Sequence, residues 1–110
     1  MTKLTEKERI PCNSDFPAMT LPQARDFMEH VPGWALSDDG TSISRRYDFP
    51  NFKEALAFTN KVGELAEEEG HHPDIELSWG KVGITLMTHS VKGLSENDFI
   101  VAAKINELQN

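Results

Sequence analysis

The sequence predicts an α+β fold: a four-stranded antiparallel sheet with helices packed on one face, in the order α-β-β-α-β-β-α. Three observations carry this. Ile75, Leu77 and Trp79 alternate with Glu76 and Ser78, and Val82, Ile84 and Leu86 alternate with Gly83, Thr85 and Met87. Two further short strands, 34–36 and 43–49, flank the turn formers Asp38, Asp39 and Gly40. Three segments of helical spacing separate and close these strand pairs.

Residues 1–19 contain Pro11, Asn13, Ser14, Asp15 and Pro17 and read as an irregular arm before a single domain, 20–110. Thr20 suits an N-cap, Pro22 suits the first turn, and Leu21, Ala24, Phe27 and Met28 share one helical face. Pro32-Gly33 ends that helix near His30, which reads as a surface histidine. Trp34 opens the first strand as a core residue. In the second strand Ile43, Tyr47 and Phe49 share a parity that Arg45 breaks, a mixed character that predicts a sheet edge. Asn51 caps a long helix to about Glu69, with Phe52, Ala55, Leu56, Val62, Leu65 and Ala66 as its core stripe and Gly70 as its stop. Ser95-x-x-Asp98 resembles a capping box and starts a last helix to about Leu108, apolar through Val101, Ala102, Ile105 and Leu108. Capping alone accounts for Asp98.

The 110 residues suit one hydrophobic core. A net charge of -7 argues against a nonspecific nucleic-acid binder and against attachment to an anionic membrane. No apolar run is long enough to span a bilayer, and MTKLTEKERI has no apolar signal core, so a cytoplasmic protein is the default. Cys12 is the sole cysteine; it forms no internal disulfide and reads as a loop thiol.

The hairpin holds the chemistry. A turn at Gly80-Lys81 sets Trp79 opposite Val82, Leu77 opposite Ile84 and Ile75 opposite Leu86. Extended, this register puts His72 opposite His89, with His71 beside them. Glu67, Glu68 and Glu69 oppose the macrodipole at the end of the long helix. Glu67, one turn before His71, is therefore a candidate to hold a protonated histidine or to grip a ligand N–H. Taken alone, each histidine also reads as a solvated polar group at an element end.

The constellation Glu67-x3-His71-His72-Pro73, Trp79, Thr88-His89 and Asp98 resembles the signature of the pterin-4a-carbinolamine dehydratases. The similarity runs from Gly33-Trp34 through Ile84-Thr85-Leu86 and Gly93-Leu94-Ser95-Glu96 into the last helix. It implies the same α+β architecture, homodimers or homotetramers, and a pterin pocket bordered by Trp34, with Asp98 near it. One departure is Gly70, where family members often carry a polar side chain.

Two chemistries suit the histidines. A zinc site is disfavoured, because adjacent His71 and His72 point apart on an extended chain. Metal-free acid–base catalysis is favoured, because histidine titrates near neutrality. The resemblance implies elimination of water from 4a-hydroxytetrahydrobiopterin to quinonoid dihydropterin, with no bound cofactor or metal. It implies His71 and His89 as the acid/base pair and His72 as mainly pterin-binding. Pro73 belongs to the same motif, Glu67 orients a histidine or accepts from the pterin, and Thr88 offers backbone contacts to the ring. It places the reaction in cofactor recycling for an aromatic amino acid hydroxylase. The alternative is a non-catalytic pterin-binding or protein-binding module, such as a dimerisation cofactor.

Overall fold

The computed structural model describes residues 18–108. Its elements are α1 (Leu21–Phe27), β1 (Ala35–Leu36), β2 (Ile43–Asp48), α2 (Phe52–Glu69), β3 (Asp74–Ser78), β4 (Lys81–Leu86) and α3 (Glu96–Leu108), with 3₁₀ turns at Met28–His30 and His89–Val91. The order and the four-stranded antiparallel sheet match the expectation. The proposed arm, and Cys12 with it, lies outside the described residues except for Ala18 and Met19.

The caps fall where the side chains demand. Thr20 Oγ1 accepts from Gln23 N–H at 3.3 Å, while Gln23 Oε1 accepts from Thr20 N–H at 2.9 Å. This is a complete capping box. Asn51 Oδ1 accepts from Glu54 N–H at 2.9 Å and starts α2. Gly70, at φ 63°, closes it in the left-handed region. There Gly70 N–H reaches Glu67 O at 3.3 Å and His71 N–H reaches Ala66 O at 3.1 Å, the paired bonds of a Schellman motif.

The strand order is β1-β2-β4-β3. Ile43 and Tyr47 from β2 and Val82, Ile84 and Leu86 from β4 are buried against Ala55, Phe58 and Val62 of α2 and against α3. Each such aliphatic side chain contributes roughly 1.5–3 kcal/mol by leaving water. In α3, residues 97–103 are all buried, so this helix is covered nearly all round and not on one stripe. Phe99 is among its fully buried side chains and meets the Phe27 ring at 5.2 Å.

Expectations are corrected at α2, at β2 and at the hairpin. In α2, Phe52 and Leu56 of the expected core stripe are exposed. β2 is interior and not an edge; it pairs with both β1 and β4. Arg45 is tolerated on its helix-facing parity because the guanidinium donates to Asn106 Oδ1 at 2.6 Å and Pro32 O at 3.1 Å, and lies 4.4 Å from the Tyr47 ring centroid. The hairpin register also differs. Leu77 faces Val82 and Ile75 faces Ile84, so the two turn residues are Trp79 and Gly80. A slip of two preserves which side chains face the core, so alternation alone does not choose between the registers. Gly80 packs on β2's end: a Cβ there would lie 2.9 Å from Phe49 O, and Phe49 N–H donates to Gly80 O at 2.8 Å. Trp79 is consequently 68% exposed and not a core residue.

Candidate active site

His71 is the first residue after the cap of α2. The Schellman motif turns the chain so that its imidazole packs inward, and the residue is 9% exposed. Asp98 waits there, fully buried in the first turn of α3. His71 Nε2 and Asp98 Oδ1 are 2.6 Å apart. The second carboxylate oxygen, Oδ2, accepts from Thr88 O–H at 2.7 Å and from Ser95 N–H at 2.9 Å. The start of a helix suits a carboxylate, since unpaired backbone N–H groups and the macrodipole both favour negative charge. Asp98 therefore does two things at once. One oxygen serves the helix cap and Thr88, and the other serves the histidine.

Thr88 is fixed from behind. Its N–H donates to Gly93 O at 2.7 Å, and its carbonyl accepts from Gly93 N–H at 3.3 Å and Val91 N–H at 3.2 Å. The backbone contacts that the sequence reserved for a ligand are thus spent on the loop, and the buried hydroxyl carries the residue's role in the site. The Ser95 hydroxyl lies 2.7 Å from it. Ser95 is the site residue that sequence reasoning missed. Its spacing to Asp98 read as a cap, and nothing in that spacing reveals that the same carboxylate meets a histidine 27 positions earlier.

His72 points the other way, as neighbours on an extended chain do. Its Nε2 lies 3.3 Å from Glu67 Oε2, with the two side chains 64% and 79% exposed. This pair is solvent-screened and contributes little to stability. The histidine that Glu67 meets is His72 and not His71. Pro73 follows, half-buried, and leads into β3. His89 begins the 3₁₀ turn after β4 and is exposed. No hydrogen bond joins it to His71 or His72 among the described residues, and the ladder ends at Asp74 opposite Thr85, short of the proposed His72–His89 pair.

Trp34 stands apart. It is buried, and its indole N–H donates to Asn106 Oδ1 at 2.9 Å, alongside Tyr47 O–H at 2.9 Å and Arg45. Asn106 lies eight residues beyond Asp98 in α3, about 12 Å along the axis. The tryptophan thus anchors the far end of α3. A cleft of about 350 Å³ on the open face of the sheet is lined by Arg46, Asp74, Glu76 and Gly83 among others and by none of the histidines. Among the described residues no three His, Cys, Asp or Glu side chains gather as a metal would require. No helix among them is long and apolar enough to cross a membrane.

The arrangement holds the His71 imidazole against a buried carboxylate and leaves the imidazoles of His72 and His89 exposed. That is the equipment for moving protons at neutral pH.

A family model for pterin 4 alpha carbinolamine dehydratase matches residues 17–108. A relative in Methylococcus capsulatus, carrying the provisional name pterin-4-alpha-carbinolamine dehydratase, is 50% identical over 96% of this chain and 92% of its own length. One of the same provisional name in Alkaliphilus metalliredigens is 46% identical over 100% and 99%. Among solved structures, a transcriptional coactivator/pterin dehydratase from Brucella melitensis superposes with a TM-score of 0.79 at 29% identity, covering 84% of this chain and 99% of that one. A pterin dehydratase-like RuBisCO assembly factor of the alpha-carboxysome superposes with a TM-score of 0.60 at 26% identity, covering 69% and 88%.

Proposed function

The chain belongs to the pterin 4 alpha carbinolamine dehydratase family, and on that premise we propose that it eliminates water from 4a-hydroxytetrahydrobiopterin by metal-free histidine acid–base catalysis. The observation that carries the reading is the buried His71–Asp98 contact at 2.6 Å, set inside the Glu67-x3-His71-His72-Pro73 motif.

The chemistry needs a proton in and a proton out. The C4a hydroxyl leaves poorly until it is protonated. One histidine gives it a proton, the C4a–O bond breaks with its electrons on oxygen, and water departs. The N5 lone pair forms the new C4a–N5 double bond. A ring N–H proton then passes to the second histidine, leaving neutral quinonoid dihydropterin and restoring the net proton count. His71 and His89 take these roles. His72, backed by Glu67, binds the pterin beside Pro73. Each positioned acid or base contributes about 10²–10⁴-fold. The reading sets the protein in the cytoplasm, recycling the pterin for an aromatic amino acid hydroxylase.

A homo-oligomer is part of the same proposal. Phe52 and Leu56 on α2 are 44% and 40% exposed, and Trp79 adds a third large apolar side chain in the β3–β4 turn. These surfaces suit a second copy.

The rival is a protein-binding module. It is favoured by the same exposed side chains and by the coactivator and assembly-factor names of the two structural relatives. The test is dehydration of freshly generated 4a-hydroxytetrahydropterin, followed by absorbance, with wild type and a folded His71→Ala/His89→Ala variant. Acceleration by wild type that the variant loses supports the enzyme. A wild-type rate equal to buffer overturns it in favour of the module.

A further inference from the structure

We infer that Ser95 and Thr88 are positioning residues that lock His71 into a single tautomer, so that His71 Nδ1 is the nitrogen that carries the reacting proton. The inference deepens the dehydratase reading and rests on it for the word "reacting"; the tautomer lock stands on geometry alone.

Thr88 has one O–H, and it donates to Asp98 Oδ2 at 2.7 Å. The 2.7 Å contact between the Thr88 and Ser95 hydroxyls therefore has Ser95 as its donor. Ser95 N–H supplies a further donor to Oδ2 at 2.9 Å. All these contacts make Asp98 a pure acceptor, so at its other oxygen it requires a hydrogen from His71. That hydrogen sits on Nε2, 2.6 Å away. In neutral imidazole one nitrogen donates and the other accepts. Nδ1 is then the bare nitrogen of the neutral ring and the second N–H of the charged one.

Access agrees with this. No buried side-chain nitrogen or oxygen among the described residues lacks a hydrogen-bond partner. His71 makes its side-chain hydrogen bond through Nε2. Nδ1 is thus the ring nitrogen that meets solvent, and it is the one a ligand can reach. Whether His71 gives a proton or takes one, Nε2 keeps its hydrogen on Asp98 and Nδ1 does the exchange. His72 and His89 have no such lock: His72 faces an exposed carboxylate and His89 is exposed.

The hydroxyls matter because the Thr88 O–H is one of the two donors that hold Oδ2; without it the Ser95 N–H alone resists rotation of the carboxylate. Groups that orient a functional imidazole through its carboxylate are worth about 10–100-fold when lost in comparable metal sites. Thr88→Val keeps the shape and removes the hydroxyl. It is expected to lower kcat about 10-fold with KM unchanged, and Thr88→Ser is expected to restore kcat to within about 3-fold of wild type on the same scale. Ser95→Ala acts in the same direction as Thr88→Val.

The deciding measurement is long-range ¹H–¹⁵N correlation of the His71 ring at a pH where it is neutral, with kcat and KM measured in parallel. The expected result is a protonated Nε2 and a bare Nδ1 in wild type, with mixed tautomers in Thr88→Val and Ser95→Ala. A protonated Nδ1 in wild type overturns the inference, as does a Thr88→Val enzyme with wild-type kcat. Should wild type fail to accelerate dehydration, the dehydratase reading falls, and the tautomer pattern still decides the lock. Should Thr88→Val fail to fold, the wild-type tautomer and Ser95→Ala carry the test.

Discussion

At the residue scale the site turns on the two oxygens of Asp98. Reading it as a helix cap is correct for Oδ2 and incomplete for Oδ1. Sequence spacing exposes the first because a cap is local, and hides the second because His71 arrives from another element. Removing the carboxylate leaves the buried His71 Nε2 without its partner and takes from the Thr88 hydroxyl one of its two contacts, the other being the Ser95 hydroxyl. Asp98→Ala is expected to cost about 2 kcal/mol or more. His72→Ala, which breaks only an exposed pair, should stay within about 0.5 kcal/mol. Thermal or denaturant melts of the two variants check both. Tyr47 makes a separate prediction. Burial raises its pKa above 10.0, against the lowering pull of Arg45 and Trp34. The folded protein therefore favours the neutral phenol more than the unfolded chain does. That contribution is complete below pH 10.0 and is lost as pH rises through the folded value. Melting temperature should fall on this alkaline limb, and Tyr47→Phe should flatten the fall.

At the element scale the cap of α2 delivers His71. Gly70 sits at φ 63° among the last bonds of the helix. An L-residue there costs roughly 1–2 kcal/mol. Gly70→Ala should lower stability by about that amount and disturb His71, so its relative kcat loss should exceed that of an exposed variant such as Lys92→Ala. Circular-dichroism melts and the dehydration assay on the same samples check this. The hairpin shows the limit of pattern reasoning. Alternation identified the buried Val82, Ile84 and Leu86 correctly, because parity follows from which face is dry. It placed the turn one residue late and thereby moved every pairing by two. The packing of Gly80 on Phe49 O, a long-range contact, selects the observed register. Arg45 misled for a related reason. A charge on the inward parity suggested an edge, and its partners Asn106 and Pro32 O lie far away in sequence.

At the scale of the molecule, α3 ties the two ends together. Its first turn holds the site through Asp98, and its last holds Trp34, Arg45 and Tyr47 through one amide oxygen of Asn106. The fold class, element order and the motif histidines were legible because they depend on local period and on spacing. The different surroundings of the histidines were not, since they depend on tertiary packing: His71 is held inside while His72 and His89 face solvent. The exposed Phe52 and Leu56 carry the remaining prediction. Phe52→Glu/Leu56→Glu should dissociate the proposed homo-oligomer, read as a drop in sedimentation coefficient, with the monomer's helix content retained.

The most direct measurement compares kcat for dehydration in three single variants, His71→Gln, His72→Gln and His89→Gln, each shown to be folded. The account predicts the largest loss at His71, about 10²-fold or more, with a rise in KM dominating at His72. A folded His71→Gln variant that keeps wild-type kcat would contradict it.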